Sequence, residues 1–418
     1  MDKKPEKLVP EVRFKGFTDD WEQHKLGEIS FKVNTKNKEN LTLPVLSNSA
    51  EYGIVNQEDY FDKKIANRTD NYYIVKHNDF VYNPRISKKA PYGPIRRNTL
   101  DTKGLMSPLY YVFRINDGNY IYLDYYFKSS KWYKFMYQNG DSGARSDRFA
   151  IKDKIFQMMP ISMPNTKEQN KIGQLIQTLQ KLIDLQQRKL EQLKQLKKAM
   201  LQQLFIDKKS KQPNLRFKIF NGDWEQRKFL DEIDSIIDYR GKTPKKLGMS
   251  WSKTGYLALS TLNVKNGWID KKSKDSHFGS QALYDIWMKN TPLYKDQVVF
   301  TTEAPMGNVA QIPDNEKYIL SQRTIAFNPS QRLIDGFLAD LLSTKNIQNK
   351  LMSLATGGTA KGVSQKSLKF LKIAFPSNEE QNFIHKVIKL FQILITLQQN
   401  KLTQLTTLKK YLLQNLFI

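Results

Sequence analysis

Two segments of the chain repeat apolar residues at the spacing of an α-helix. In the first, apolar side chains recur every three or four positions from Ile172 to Leu204. Adding 212 to each number gives a second series, from Ile384 to Leu416, in which every position is again apolar. Such a stripe predicts an amphipathic helix. We therefore expect two long helices, at 166–206 and 378–418, each of about 40 residues and roughly 60 Å.

Capping motifs support both predicted helix starts. Pro164 precedes the sequence Thr166-Lys-Glu-Gln169, and Pro376 precedes Ser377-Asn-Glu-Glu380. In a capping box the hydroxyl of the first residue accepts a backbone N–H, and the fourth side chain returns to the cap. The pattern predicts that Thr166 and Ser377 cap the two helices.

The two predicted helices are natural partners, because an isolated helix with such a stripe exposes it to water. If a pseudo-two-fold axis relates them, they form an antiparallel coiled coil in which Gln186 faces Gln398 and Leu204 lies near Glu380. The two glutamines are then either a buried polar pair that fixes the register at a cost in stability, or exposed residues on the rim of the seam. The residues predicted to form the seam are Leu179, Ile183, Gln186, Leu190, Leu193, Phe391, Ile395, Gln398, Leu402 and Leu405.

The start of each half of the chain also repeats. Arg13-Phe-Lys15 and Trp21-Glu-Gln23 recur at Arg216-Phe-Lys218 and Trp224-Glu-Gln226, a spacing of 203. The ends repeat at a spacing of 212, whereas the sequences between scarcely match. Constant edges with different centres predict a common frame that holds two different recognition domains.

The globular parts between these edges are predicted to be α+β (mixed α/β). Strands are expected at 73–75, 109–115, 297–300 and 324–327, which are rich in β-branched and aromatic residues. Helices are expected at about 120–138 and 333–356, ending at Asn139-Gly140 and Gly357-Gly358, where a glycine suits a left-handed C-cap. The predicted order is a first globular domain (1–165), the first long helix (166–206), a linker with the second globular domain (207–377), and the second long helix (378–418).

The net charge of the chain indicates which class of partner it binds. The chain has 418 residues with 67 basic against 41 acidic side chains, a net charge of +26, and the surplus is spread over every segment. This balance favours an extended face that binds an anionic polymer, most commonly nucleic acid. The absence of cysteine excludes disulfides, thiolate zinc sites and a cysteine nucleophile. The sequence offers neither a membrane-spanning apolar run nor a signal-peptide core, so we expect a soluble, cytoplasmic protein.

Catalytic motifs are not found in the sequence. Gly241-Lys-Thr243 resembles the end of a phosphate-binding P-loop, but Ile236 stands where its leading glycine is required. Asn83-Pro-Arg-Ile86 lacks the second proline and the aromatic residue of the adenine-methyltransferase motif. The four histidines are isolated, and no carboxylates form a convincing pair. We predict a chain that is not an enzyme and that binds no cofactor or metal of its own.

Glycine-containing basic turns are the candidate DNA-binding sites. Glycine lets the backbone approach phosphates, arginine and lysine neutralise them, and a rigid loop also presents side chains to base edges. For any one of these turns, the alternative is a solvated surface loop with no role in binding. The candidates are Arg85, Lys88, Lys89, Arg96, Arg97, Arg145 and Arg148 in the first half, and Arg240, Lys242, Thr243, Lys361, Ser364 and Lys366 in the second.

This organisation resembles the specificity subunit of type I restriction–modification enzymes. The resemblance covers essentially the whole chain. It depends on the duplicated domain–helix order, on Trp21-Glu22 and Trp224-Glu225, and on the helix starts at Pro164…Glu168-Gln169 and Pro376…Glu380-Gln381. The basic turn at 143–148 matches the family only loosely, because Gly-Ala-Arg replaces a Gly-Gly-Thr type of sequence.

The resemblance implies two target-recognition domains, each binding one half of a bipartite, asymmetric site in double-stranded DNA. The helices would set the spacer and dock two modification subunits that use S-adenosylmethionine to methylate adenine. Two restriction subunits that require ATP and Mg²⁺ would complete the nuclease. Cofactors would thus belong to the partners.

Two other classes of function compete with this interpretation. A general RNA- or DNA-binding scaffold explains the charge, and the tyrosine-rich first half would suit stacking on unpaired bases. It does not explain two different domains on one frame. A purely structural coiled-coil protein explains the helices but leaves the basic turns without a role. Competition with unrelated duplex at fixed salt separates a sequence-specific protein from a general binder.

Overall fold

The computed structural model describes residues 9–62, 68–142, 147–207, 210–358 and 361–418, and it is mixed α/β as the sequence predicts. The residues divide into two compact units, of which the first joins the residues up to Gln187 to Asn400–Ile418 and the second comprises Arg188–Gln399. Each unit thus contains one globular domain and a segment of each long helix. No helix in these described ranges is long and apolar enough to cross a bilayer.

The first half contains twelve strands and six helices within its described residues. The strands are β1 (Glu22–Lys25), β2 (Ser30–Lys32), β3 (Val45–Ser49), β4 (Gly53–Asn56), β5 (Tyr73–Val75), β6 (Phe80–Tyr82), β7 (Ile95–Arg97), β8 (Gly104–Met106), β9 (Tyr111–Ile115), β10 (Asp141–Ser142), β11 (Phe149–Ala150) and β12 (Pro160–Met163). The helices are α1 (Leu26–Ile29), α2 (Gln57–Phe61), α3 (Tyr120–Lys128), α4 (Tyr133–Asn139), α5 (Asp153–Phe156) and α6 (Thr166–Gln203).

The described part of the second half contains eleven strands, five α-helices and two short 3₁₀ helices (Phe229–Glu232 and Pro244–Leu247). The strands are β13 (Glu225–Lys228), β14 (Ile233–Asp238), β15 (Tyr256–Leu259), β16 (Val264–Lys265), β17 (Trp268–Ile269), β18 (Phe278–Gly279), β19 (Val298–Thr301), β20 (Val309–Gln311), β21 (Ile319–Leu320), β22 (Thr324–Pro329) and β23 (Lys372–Phe375). The helices are α7 (Gln281–Met288), α8 (Asp335–Ser343), α9 (Lys345–Leu354), α10 (Gln365–Leu368) and α11 (Asn378–Asn415).

The two globular domains share one sheet topology, although their sequences scarcely match. A four-stranded antiparallel sheet has the order β2-β9-β6-β7 in the first domain and β14-β22-β19-β20 in the second. A further sheet has β3 parallel to β8 in the first domain, and β15 parallel to β21 in the second. The pairs β1–β12 and β13–β23 likewise correspond. The duplication therefore extends through the centres of the halves.

Both helical stretches predicted inside the globular domains are interrupted. The first divides into α3 and α4, and the second into α8 and α9 at Thr344, whose hydroxyl caps α9 by accepting the N–H of Ile347. The expected left-handed C-caps are wrong. Gly140 is extended, and a side chain there would collide with Phe149; α9 ends at an extended Ala355 before the glycines are reached.

The long helices run from Thr166 to Gln203 and from Asn378 to Asn415, so each is shorter at its end than the sequence predicts. Ser377 lies at the second start, where its hydroxyl is 3.5 Å from the N–H of Glu380. Thr166 is inside the first helix instead of capping it, because the side chain of Asn165 accepts the N–H of Glu168. Neither predicted box closes, because the side chain of Gln169 donates to the carbonyl of Pro164 and accepts the N–H of Asn119, and Glu380 is bound by Arg216.

In each half, an ion pair joins two of the repeated motifs: the one at the start of the half and the one at the start of its long helix. Arg13 donates from Nε and Nη2 to both carboxylate oxygens of Glu168, each at 2.8 Å. Arg216 does the same to Glu380 at 2.9 and 2.7 Å. The carboxylates are 0% and 2% exposed. Hydrogen bonding to Glu168 raises the pKa of Arg13 against the opposing effect of burial. Each pair fastens the start of a globular domain to the start of its long helix.

Within each unit, segments of the two long helices pack in opposite directions. In the first unit, Lys409 donates to Gln180, and Leu179 shares a core with Leu412 and Leu416. In the second unit, Lys197 donates to Gln392 at 2.7 Å, and Leu204 shares a core with Ile384 and Ile388. Leu204 and Leu416 belong to different units, as the antiparallel arrangement requires.

The predicted seam residues are all buried or half-buried, including Gln186 and Gln398, so the alternative of exposed glutamines is wrong. Other leucines of the two long helices are exposed instead. Six leucines, between 36% and 60% exposed, form what we call the outer stripe: Leu182, Leu185 and Leu196 on the first helix, and Leu394, Leu397 and Leu408 on the second. A spacing of 212 relates the two sets.

Candidate nucleic-acid interface

Loops of the first globular domain converge at one end of its four-stranded sheet. The loop that follows β6 lies beside the segment that enters β11: Ile86 donates to the carbonyl of Asp147 at 3.0 Å, and Phe149 donates to that of Pro84 at 2.7 Å. This pairing forms a bridge between Arg85 and Arg148, whose side chains are both exposed. Two arginines 63 positions apart in the sequence therefore lie together, in a form suited to an anionic backbone or to guanine.

Aromatic residues surround this arginine pair. Burial raises the pKa of Tyr110, and the nearby Arg85 and Arg148 guanidinium groups oppose that rise. A cleft of about 890 Å³ beside Arg148 is lined by Tyr110, Tyr111 and Phe149 among others. A smaller one of about 200 Å³ contains Arg85, Tyr60 and Phe61. Tyr60 and Phe61 are exposed, with ring centroids 4.8 Å apart, and the exposed faces of such rings can pack against bases.

Two of the other predicted DNA-binding residues of the first domain are exposed to solvent. Lys88 and Lys89 are exposed in the same loop as Arg85, with Lys89 2.8 Å from Glu51 in a surface ion pair. Such an exposed pair contributes little to stability. Arg145 lies outside the described residues.

Arg96 and Arg97 depart from the prediction, because β7 directs both into the protein. Arg96 donates to the carbonyls of Ile95 and Ala50, each at 2.9 Å, and burial lowers its pKa. The Arg97 side chain is 12% exposed, lies 3.7 Å from Asp124, and donates to Asn78 at 2.6 Å. Their guanidinium groups already have protein partners, so we assign them to the support of the loop and not to DNA.

Loops of the second globular domain converge at the same end of its sheet. The side chain of Gln322 donates to the Lys242 carbonyl at 2.9 Å, and Thr302 donates to that of Arg323 at 2.8 Å. Val363 in turn donates to the Thr302 carbonyl at 2.9 Å. Four loops, from 239–247, 302–307, 321–323 and 361–366, therefore form one surface.

Three predicted residues in the first of these loops have different environments. Arg240 is bound to Asp238 at 2.6 Å, and Asp238 also accepts from Gln365 at 2.7 Å, so this carboxylate connects two loops and holds the arginine. Lys242 is exposed and lies over the ring of Tyr239 at 4.9 Å. The Thr243 hydroxyl caps the short helix that follows, at 3.4 Å from the Lys246 N–H, which gives it a structural role that the sequence did not predict.

The remaining predicted residues lie around the start of α10. Lys361 and Lys366 are exposed, whereas the hydroxyl of Ser364 is half-buried and caps α10 by accepting the N–H of Ser367 at 3.0 Å. The two lysines are the freely accessible cations of this loop within its described residues, and the serine shapes it.

Sequence reasoning missed one exposed ion pair on this surface. Arg323 Nε lies 2.7 Å from Glu303 Oε1, and the side chains are 54% and 41% exposed. Arg323 has a φ of 65°, in the left-handed region that non-glycine residues seldom adopt. A signal was present, because Leu105–Phe113 and Ile319–Phe327 both carry a serine at their third and a phenylalanine at their ninth position.

The described residues contain no group of three or more histidine, aspartate and glutamate side chains that could hold a metal ion. His385, in α11, is hydrogen-bonded to Asp340, in α8, at 2.8 Å. The converging loops carry exposed cations in both domains, together with aromatic rings in the first and an exposed carboxylate–arginine pair in the second, a composition suited to binding nucleic acid.

Comparison with known proteins gives one family. The sequence profile of the type I restriction modification DNA specificity domain matches residues 18–195 and 221–407. A protein of Methanocaldococcus jannaschii, named as a type I restriction enzyme MjaX specificity subunit, is 22% identical over 300 residues. The match covers 69% of this chain and 64% of that relative, so the chain spans less than two-thirds of its length.

Two solved structures share the fold. The S subunit of a type I restriction–modification system from M. genitalium has a TM-score of 0.57 at 15% identity, covering 98% of this chain and 99% of that one. A chain from a structural study of complex assembly and conformational transition of the type I R-M system has a TM-score of 0.55 at 14% identity, covering 94% and 96%. At these identities the likeness concerns the fold alone.

Proposed function

This chain belongs to the family of type I restriction modification DNA specificity domains, and from that premise we propose that it recognises a bipartite, asymmetric DNA site, one half-site per globular domain. The observation that carries the proposal is the duplicated topology with different side chains on the converging loops. Arg85 and Arg148 meet in the first domain, whereas Glu303 and Gly362 meet in the second. One frame with two different surfaces suits two different half-sites.

The proposed complex places catalysis in other subunits. The described residues offer recognition loops and helices but no metal cluster, and the sequence lacks a methyltransferase or P-loop motif. Adenine methylation with S-adenosylmethionine is assigned to modification subunits, and ATP- and Mg²⁺-dependent restriction to restriction subunits. The long helices determine the length of the spacer between the half-sites.

We propose that two modification subunits bind the outer stripe. In the first unit it consists of Leu182, Leu185 and Leu408, and in the second of their counterparts Leu394, Leu397 and Leu196. Exposed apolar residues grouped on a helix pair are typical of a protein interface. Because the same group occurs twice, it suits one partner in two copies.

Replacing leucines of the outer stripe is expected to remove modification subunits one at a time. Leu185→Glu places a charge in one interface, so we expect a complex with a single modification subunit; combining it with Leu397→Glu leaves none. The masses of the purified complexes measure this. Gln187→Glu, on an exposed position of the same helix, is the control. Two bound modification subunits in the double variant would contradict the assignment.

Exposed lysines are expected to contribute affinity without sequence preference. Lys361→Ala and Lys366→Ala each remove a phosphate contact, so we expect the slope of log K against log salt to fall by about 1 for each. Binding of the assembled methyltransferase to cognate and unrelated duplexes, across a salt series, measures this. Glu379→Ala, on the exposed first turn of α11, is a control that keeps the loops intact. A changed preference between the two duplexes would assign the lysines to base recognition instead.

A genome-wide adenine-methylation map with and without this gene tests the function directly. With modification subunits co-expressed, we expect one bipartite motif, methylated on both strands, to depend on the gene. An unchanged map under co-expression would reject the proposal. Equal binding of cognate duplex, unrelated duplex and RNA would favour a general nucleic-acid scaffold.

A further inference from the structure

The strand registers make the two globular domains comparable residue by residue at their converging loops. In the first, Tyr82 pairs with Tyr111 and with Ile95; in the second, Phe300 pairs with Ile325 and with Val309. Three residues after Tyr82 comes Arg85, and three after Phe300 comes Glu303. These two positions are therefore equivalent.

Backbone hydrogen bonds confirm the equivalence independently of the strand registers. The carbonyl of Pro84, just before Arg85, accepts from Phe149, and the carbonyl of Thr302, just before Glu303, accepts from Val363. Arg85 forms its bridge with Arg148, and Glu303 forms its own with Gly362. The same backbone scaffold thus presents an arginine in one domain and a glutamate in the other.

A neighbouring loop also carries different side chains at equivalent positions of the two domains. Counting back two residues from the equivalent strand positions Tyr111 and Ile325 gives Leu109 and Arg323. Both side chains are exposed. The first domain therefore presents arginine and leucine at this pair of positions, and the second presents glutamate and arginine.

A carboxylate is an unusual group on a surface that binds DNA, because phosphates repel it. Glu303 is 41% exposed in a chain of net charge +26, and Arg323 holds it from a strained backbone position. Left-handed non-glycine residues persist where the surrounding structure requires them, often at binding sites. A carboxylate in the major groove has one favourable role, which is to accept from an amino group on a base edge; an arginine there donates to O6 and N7 of guanine.

We propose that this pair of equivalent positions determines base identity in each half-site, with Glu303 specifying a cytosine and Arg85 a guanine. The inference extends the proposed function and requires that each domain binds its own half-site. Arg323 positions the Glu303 carboxylate and leaves its remaining N–H groups for the neighbouring base. The exchange of arginine for glutamate on one scaffold is what makes the two half-sites different.

Methylation mapping of single variants, with modification subunits co-expressed, tests the assignment. Glu303→Gln replaces an acceptor by an amide that suits adenine. We expect discrimination at one position of one half-site to fall by about 5- to 150-fold, the range for loss of one specific base contact, with adenine accepted there. Arg85→Gln is expected to relax one guanine in the other half-site. Binding of the purified complexes to single-base variants of the wild-type site gives the same information without turnover.

Two controls separate base recognition from general effects. Glu316→Gln removes an exposed carboxylate of the second domain that pairs with Lys271, and Lys103→Gln removes an exposed cation of the first domain outside the converging loops; neither is expected to change the motif. An unchanged motif in Glu303→Gln, a change in the same half-site for both test variants, or a uniform loss of binding to every duplex would overturn the inference. A wild-type map without a bipartite motif would instead reject the proposed function.

Discussion

Replacing Glu380 by alanine is expected to destabilise the second unit by about 3–5 kcal/mol, the cost of leaving one partner of a buried ion pair without the other. Its carboxylate is 2% exposed and accepts two hydrogen bonds from Arg216, which also donates to the carbonyls of Asn221 and Gly222. The truncation removes both hydrogen bonds from the Arg216 guanidinium group to the long helix and leaves only those to the two carbonyls. Chemical denaturation of the full chain measures the loss.

Glu379 provides the matched control, because it precedes Glu380 in the same first helical turn but is exposed. Both carboxylates interact with the helix dipole, so the difference between Glu379→Ala and Glu380→Ala isolates the ion pair. Replacing Arg216 and Glu380 together by leucine is expected to cost less than either single truncation, because no charge is left buried alone. Equal effects of the two glutamate variants would show that the pair contributes nothing.

Lengthening both long helices at their midpoints is expected to lengthen the spacer of the DNA site and to leave both half-sites unchanged. Duplicating residues 181–187 after Gln187, and 393–399 after Gln399, adds one heptad to each helix at the boundaries between the two units. Seven residues extend a helix by about 10 Å. At about 3.4 Å per base pair, this corresponds to about three base pairs of additional spacer.

A whole heptad preserves the seam, because it returns the apolar face to its original orientation. Methylation mapping with co-expressed modification subunits reads spacer and half-sites in the same experiment. A seven-residue insertion after Lys274, in an exposed turn of the second globular domain, is the control for added length alone. An active double insertion with an unaltered spacer would refute the role of the helices as a ruler, and so would altered half-site bases.

Elements that depend on neighbours in the sequence could be predicted. The apolar series of the long helices located both to within three residues, because a helix places positions three and four apart on one face. The mixed α/β class and the basic loops followed in the same way. Periodicity did not distinguish Leu179, which lies in the core, from Leu182, which lies on the outer stripe. Both have the spacing of a helix, and only the partner segment separates them.

Pairings between distant residues could not be predicted. Arg13 and Glu168 are 155 positions apart. Their motifs are recognisable as repeats in the sequence, but only the folded structure shows that the two side chains bind each other. Arg96 and Arg97 resemble DNA contacts in the sequence because their charge is local information, whereas the acceptors that bind them, such as the Ala50 carbonyl and the Asn78 side chain, lie in distant parts of the chain.

The sequence by itself determined that this protein is a duplicated frame with two long helices and a basic surface, since composition, repeats and helical periodicity are properties of the chain. Only the tertiary structure decided which charged residues meet and which equivalent positions differ. Arg85 and Glu303 correspond because backbone pairing brings residues more than 50 positions apart into the same register in both domains. Such pairing follows from the burial of whole sheets, and no local pattern encodes it.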